Sequence, residues 1–128
     1  MPDTEGKTVS LTVPAEAEFA RSVRMLAANL ALVCGLSIDD VEDVRMAAEE
    51  GFVYACATDQ DFCDILFAID EAQIQMTFSL GPQRDVEDAY EDGSFDYAQL
   101  ILGSVTDEYS IDDDHTRLTV LKRMGGAE

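Results

Sequence analysis

The sequence predicts an α+β fold, a two-layer α/β sandwich with helices on one face of a mixed, mainly antiparallel sheet. Three observations carry that expectation. The chain has 128 residues, the length of one domain, and 47% of them are apolar, enough to build a core. Its apolar periodicity runs strand, helix, helix, strand, strand, loop, helix, strand, strand. Strands adjacent in sequence, with the helices kept apart from them, favour an antiparallel sheet covered on one side.

Each element has its own signal. Lys7 to Val13 alternates, with Val9, Leu11 and Val13 on one face, and Pro14 ends it as a half-buried strand. Ala15 to Cys34 carries Phe19, Val23, Leu26, Leu30 and Val33 at helical spacing, and Gly35 follows as its C-cap. Ser37 is placed to cap the next helix, with Asp40 three residues on. Ile38, Val41, Val44, Ala48, Phe52 and Ala55 form that helix's apolar face, and Asp39, Asp40, Glu42 and Asp43 suit its positive N-terminal end.

Phe62 to Ile69 and Gln73 to Leu80 read as a hairpin turning at Asp70-Glu71-Ala72. In the second strand Ile74, Met76, Phe78 and Leu80 alternate with polar residues, so one face lies in the core and one in water. Gly81 to Gly93, which holds Asp85, Glu87, Asp88, Glu91 and Asp92, reads as a solvated acidic loop. Tyr97 to Val105 is a short apolar helix. Glu108 to Asp112 and Thr116 to Arg123 form a last hairpin around Asp113-Asp114-His115. No repeat or interdomain linker divides the chain, so residues 1–128 are expected to form one domain with flexible ends at 1–6 and 125–128.

Charge narrows the function. Twenty-seven acidic residues against eight basic ones leave a net charge of −19. Such a surface repels phosphate, so no nucleic acid and no membrane are expected as partners; a basic protein surface is. No signal peptide or apolar span is apparent. Cys34, Cys56 and Cys63 form no CxxC pair, which fits reduced thiols in a cytoplasmic protein.

Candidate chemistry is sparse. His115 beside Asp112, Asp113 and Asp114 lacks a second ligand cluster, so a solvated turn is the better account and no metal site is expected. Asp107-Glu108 reads as a helix-end feature. No P-loop, dinucleotide fingerprint or nucleophile elbow occurs. Glu50 remains: residues 43, 47, 50 and 54 share one helical face, so its carboxylate could look into a pocket beside the sheet and act as a general base, with Tyr54 one turn on. The competing account is an ordinary surface acid.

From about Val9 to Arg123 the chain resembles the anti-sigma factor serine/threonine kinases, a branch of the Bergerat-fold (histidine-kinase-like) ATPases. The likeness rests on Leu11-Thr12-Val13-Pro14-Ala15 before a long helix and on Gly35-Leu36-Ser37 before the helix opening Ile38-Asp39-Asp40. It rests further on Ile101-Leu102-Gly103-Ser104-Val105-Thr106-Asp107-Glu108-Tyr109 and on the closing strand His115 to Arg123. The resemblance implies that Glu50 is the family's base, that Tyr54 stands where an asparagine holds magnesium, and that Thr58 stands at a histidine position. Ser79 and Gly81 fall on the adenine-binding Asp-x-Gly-x-Gly box, with Gln83 in place of its last glycine. Asp96-Tyr97-Ala98-Gln99 falls on the phosphate-binding Gly-x-Gly-Leu box, without a glycine.

A phenol is a poor magnesium ligand, and Asp96 sets negative charge against phosphate. Tyr54, Ser79 and Gly81 would then line a degenerate ATP pocket. The expectation is a regulatory protein, anti-sigma-like, that acts by protein–protein binding with ATP and magnesium binding lost or weak. The resemblance implies a sigma factor and an anti-sigma antagonist as partners, and a homodimer. Two alternatives stand beside it. One is an active ATP-dependent protein-serine kinase with an atypical pocket, using Glu50 and a magnesium held by Asp43 or Glu49. The other is an acidic mimic of nucleic acid.

Overall fold

The alternating strands form a five-stranded sheet, as seen in a computed structural model that describes residues 6–70, 73–82 and 94–123. Its strands are β1 (Lys7–Pro14), β2 (Phe62–Ile69), β3 (Gln73–Ser79), β4 (Glu108–Ile111) and β5 (Arg117–Arg123), in spatial order β1-β2-β3-β5-β4. Every pairing is antiparallel, so the sheet is simpler than the mixed one expected. The helices are α1 (Ala20–Val33), α2 (Ile38–Cys56) and α3 (Ser94–Val105), and α1 is preceded by a 3₁₀ turn at Ala17–Phe19. They lie on one face of the sheet. The acidic residues of 83–93, Gln83, Glu71, Ala72, the chain ends 1–5 and 124–128, and the side chains of Asp96 to Gln99 fall outside the described residues.

Alternation decides which face each strand residue occupies. Val13, Cys63, Ile65, Phe67, Ile74, Met76, Phe78, Leu118 and Val120 point to the helices and are buried. Phe52 of α2 is buried among them. Covering a large apolar side chain stabilises the fold by about 1.5–3 kcal/mol. At Gly51, α2 approaches the sheet so closely that a Cβ would stand 2.6 Å from the Phe78 ring.

The turn between α1 and α2 is fixed locally. Gly35 adopts φ +84°, a conformation open to glycine. Its N–H donates to the Leu32 carbonyl at 2.9 Å and the Leu36 N–H to the Ala31 carbonyl at 3.1 Å, closing a Schellman motif. The Ser37 hydroxyl accepts the Asp40 N–H at 3.1 Å and caps α2. Asp40 and Asp43 then face Lys122 of β5, at 3.6 and 3.1 Å from its Nζ.

Two residues expected on buried helix faces are not there. Val33 is 67% exposed and Ile38 79% exposed. The buried stripe of α1 runs instead through Ala20, Val23, Ala27, Leu30 and Ala31. Small alanines let α1 lie close to α2, and at 100° per residue Val33 and Ile38 fall on the flanks of their helices, away from the buried stripes.

No helix of the described residues covers the other face of the sheet. Thr12, Asp64, Ser79 and Arg117 form one row across it, and Ser10, Leu66, Thr77 and Thr119 form the next. Together they line a depression of about 640 Å³.

Candidate functional site

α2 positions the two helical candidates. Arg24 of α1 holds Glu49 at 3.0 Å. Glu50, about 100° further round the helix, lies on another flank, with Ala47 and Tyr54. Glu50 is half-buried and its carboxyl is raised above the usual range, first by burial and then by the neighbouring charge of Glu49. Tyr54 is only 6% exposed and packs in the core. Its ring stands where the resemblance puts the magnesium-holding asparagine.

The end of α2 is joined to the end of β3 by a polar seam. Thr58 is 5% exposed; its hydroxyl donates to the Ala55 carbonyl at 2.6 Å and accepts the Gly81 N–H at 2.9 Å. The Asp59 N–H donates to the Pro82 carbonyl at 2.8 Å. Any side chain at Gly81 would collide with the Asp59 carbonyl, which explains why glycine stands there. Gly81 is thus engaged with the protein's own backbone.

Ser79 sits between the buried Phe78 and Leu80, so its hydroxyl points to the opposite face of the sheet from Glu50 and Tyr54. There it donates to Gln60 Oε1 at 3.1 Å and accepts the Asp64 N–H at 2.9 Å. Gln60 Nε2 donates in turn to the Ser79 carbonyl at 2.9 Å. Glu50 and Tyr54 share a helix flank and Gly81, two residues past β3, meets Thr58 and Asp59 just after α2, but the Ser79 side chain lies on the other face.

The other acids expected as candidates have structural duties. Asp43 pairs with Lys122 and Glu49 with Arg24. Asp107 accepts the Arg123 N–H at 2.5 Å, and Glu108 holds the Arg123 guanidinium at 2.7 Å. Asp112 accepts the Thr116 N–H at 2.8 Å, the Thr116 hydroxyl at 2.9 Å and the Arg117 N–H at 3.2 Å. The Thr116 N–H is the main cause that holds its carboxyl below the usual range. His115, at φ +59°, completes this exposed turn. Among the described residues, no three His, Cys, Asp or Glu side chains gather as a metal site.

Burial, more than any partner, pushes the Cys56 and Cys63 thiols up to about 11. The Cys34 thiol is raised too, again first by burial. Such thiols are poor nucleophiles.

Sequence reasoning missed the seam. Thr58 is read only as a residue at a histidine position and Gln60 not at all, and the seam bonds them to Gly81 and Ser79, 23 and 19 residues away. The orientation of Ser79, in contrast, follows from the alternation of Ile74 to Leu80. No protein-family model matches the chain, and no curated protein matches it.

Proposed function

We propose that this protein is an anti-sigma-like regulator that acts by binding a basic protein surface and does not use ATP. The observation that carries the proposal is the buried Tyr54 ring at the place where relatives in the resembled family would hold magnesium. Three further features support it. Gly81 is closed against Asp59, and Thr58 takes its N–H. The Ser79 hydroxyl faces away from the helix layer. Asp43 and Glu49, the substitute metal ligands, already face Lys122 and Arg24. These residues do not fit a magnesium-bound nucleotide, so no phosphoryl transfer is assigned to Glu50.

The net charge of −19 suits a basic partner such as the DNA-facing surface of a sigma factor. Charge of this kind raises encounter rate and selects partners more than it deepens affinity. The test is a binding screen of the protein against purified sigma factors of its own genome, with and without Mg·ATP. The expected result is a complex that weakens with salt and is indifferent to nucleotide. A complex that forms only with Mg·ATP, or phosphorylation of a serine on an antagonist protein, overturns the proposal in favour of an active kinase. Salt-sensitive binding to every DNA-binding protein tested overturns it in favour of nucleic-acid mimicry.

A further inference from the structure

The depression on the uncovered face of the sheet holds two opposite charges that do not meet. Asp64 of β2 and Arg117 of β5 stand in one row, one on each side of Ser79. Among the described residues neither takes part in an ion pair. Asp112, beside Arg117 across the turn, spends its carboxylate on the Thr116 N–H, the Thr116 hydroxyl and the Arg117 N–H. Both charges are anchored from behind. The Thr12 hydroxyl donates to Asp64 Oδ1 at 2.5 Å, which leaves Oδ2 available. The Asp64 N–H donates to Ser79 Oγ at 2.9 Å, and the Ser79 hydroxyl donates to Gln60 Oε1 at 3.1 Å. The Asp112 carboxylate accepts the Arg117 N–H at 3.2 Å, and the Asp112 N–H donates to the Arg117 carbonyl at 3.2 Å. In the next row Leu66 is 44% exposed, with the hydroxyls of Thr77 and Thr119 beside it.

We propose that this depression binds a free aliphatic α-amino acid as its zwitterion, with the ammonium on Asp64, the carboxylate on Arg117 and the side chain over Leu66. Charge selects the class of ligand. A lone anion is repelled by Asp64 and by a net charge of −19, and a lone cation leaves Arg117 unanswered. A zwitterion answers both residues with charge-assisted hydrogen bonds. Strand spacing sets its size. Two strand spacings put the Cα atoms of Asp64 and Arg117 about 9–10 Å apart. The two side chains, with a hydrogen bond of about 2.9 Å at each end, take up most of that span. The remainder suits an ammonium and a carboxylate carried on one carbon, and not the ends of a longer peptide. Leu66 follows Asp64 by two residues, about 6.8 Å along the strand, within reach of a side chain of leucine's length.

This inference does not rest on the function proposed above, and its test needs neither nucleotide nor sigma factor, so either can fail alone. The experiment is titration of the isotope-labelled full chain with L-leucine, followed at the backbone amides, with circular dichroism to check the folding of each variant. Saturable shifts are expected at Asp64, Ser79 and Arg117. L-leucinamide lacks the carboxylate and N-acetyl-L-leucine lacks the ammonium, so each is expected to bind the wild type at least about tenfold more weakly. Asp64→Asn and Arg117→Gln are each expected to raise the Kd for L-leucine by about tenfold or more. Arg123→Gln removes a base that pairs with Glu108 outside the depression and is expected to leave that Kd unchanged. Leu66→Ser is expected to bring L-leucine down to the affinity of glycine. No saturable shift at tens of millimolar L-leucine overturns the inference. So does L-leucinamide binding as tightly as L-leucine, which makes the depression a cation site on an acidic surface. An effect of Arg123→Gln as large as that of Arg117→Gln assigns the binding to overall charge and overturns it as well. The analogues are read on the wild type, so the inference can fail without any variant.

Discussion

The two faces of the sheet are built from the same strands and differ in almost everything else. On the helix face Phe67, Phe78, Ile65, Ile74 and Met76 are fully buried, and α2 comes close enough that only glycine fits at position 51. On the other face the same strands present serine, threonine, one exposed leucine and balanced charges. Period-2 alternation makes this division strict, since neighbouring residues cannot share a face. The helix face carries the core that holds the molecule together. Stability therefore belongs to one side, and the other is free to be a surface.

Several substitutions would break or sharpen that contrast. The largest effect is expected from Phe78→Ala, which removes a fully buried ring from under Gly51. It should lower unfolding free energy by about 3–5 kcal/mol, measured by chemical denaturation. Gly81→Ala should follow, at about 1–3 kcal/mol, because the added methyl pushes on the Asp59 carbonyl, and backbone yields poorly. Thr58→Val tests the seam itself. It deprives the Gly81 N–H of its acceptor and should also cost about 1–3 kcal/mol. If Thr58→Val leaves the melting temperature untouched, the seam does not hold β3 to α2.

A smaller effect is expected at Glu50, and its sign depends on pH. The folded protein raises this carboxyl above its unfolded value, so folding favours the protonated form. The resulting stability is present at acid pH and is lost as pH rises through the folded pKa. Glu50→Gln should therefore raise the melting temperature at pH 7, and the advantage should vanish below the ordinary glutamate range. An equal shift at every pH would contradict burial as the cause. The smallest effect belongs to the open face. Thr77→Ala should change monomer stability by no more than about 0.5 kcal/mol.

Much of this contrast was legible in the sequence. The alternation of Ile74, Met76, Phe78 and Leu80 assigned both faces of β3, and Gly35 with Ser37 marked a turn whose hydrogen bonds are local. Val33 and Ile38 were misjudged for a physical reason. An i, i+3, i+4, i+7 pattern admits two neighbouring flanks, and the buried stripe follows the one that holds the alanines. Ala27 and Ala31 were overlooked because a small buried residue has little hydrophobic signal, although it is what lets two helices approach. At the candidate site, Glu50 and Tyr54 followed from spacing along one helix. The seam of Thr58, Gln60 and Gly81 did not, since it joins residues that only the folded chain brings together. Charge balance on the open face is likewise a property of the sheet's strand order. No window of sequence contains Asp64, Arg117 and Arg123 at once.

The proposal is that Tyr54, which is buried, and Gly81, whose N–H Thr58 accepts, do not serve a nucleotide. It is tested most directly by following backbone amide resonances of the isotope-labelled protein during titration with Mg·ATP. The account predicts that the amides of Glu50, Tyr54, Thr58 and Gly81 stay where they are at millimolar nucleotide. Saturable shifts at those four amides would contradict it and return these residues to nucleotide chemistry.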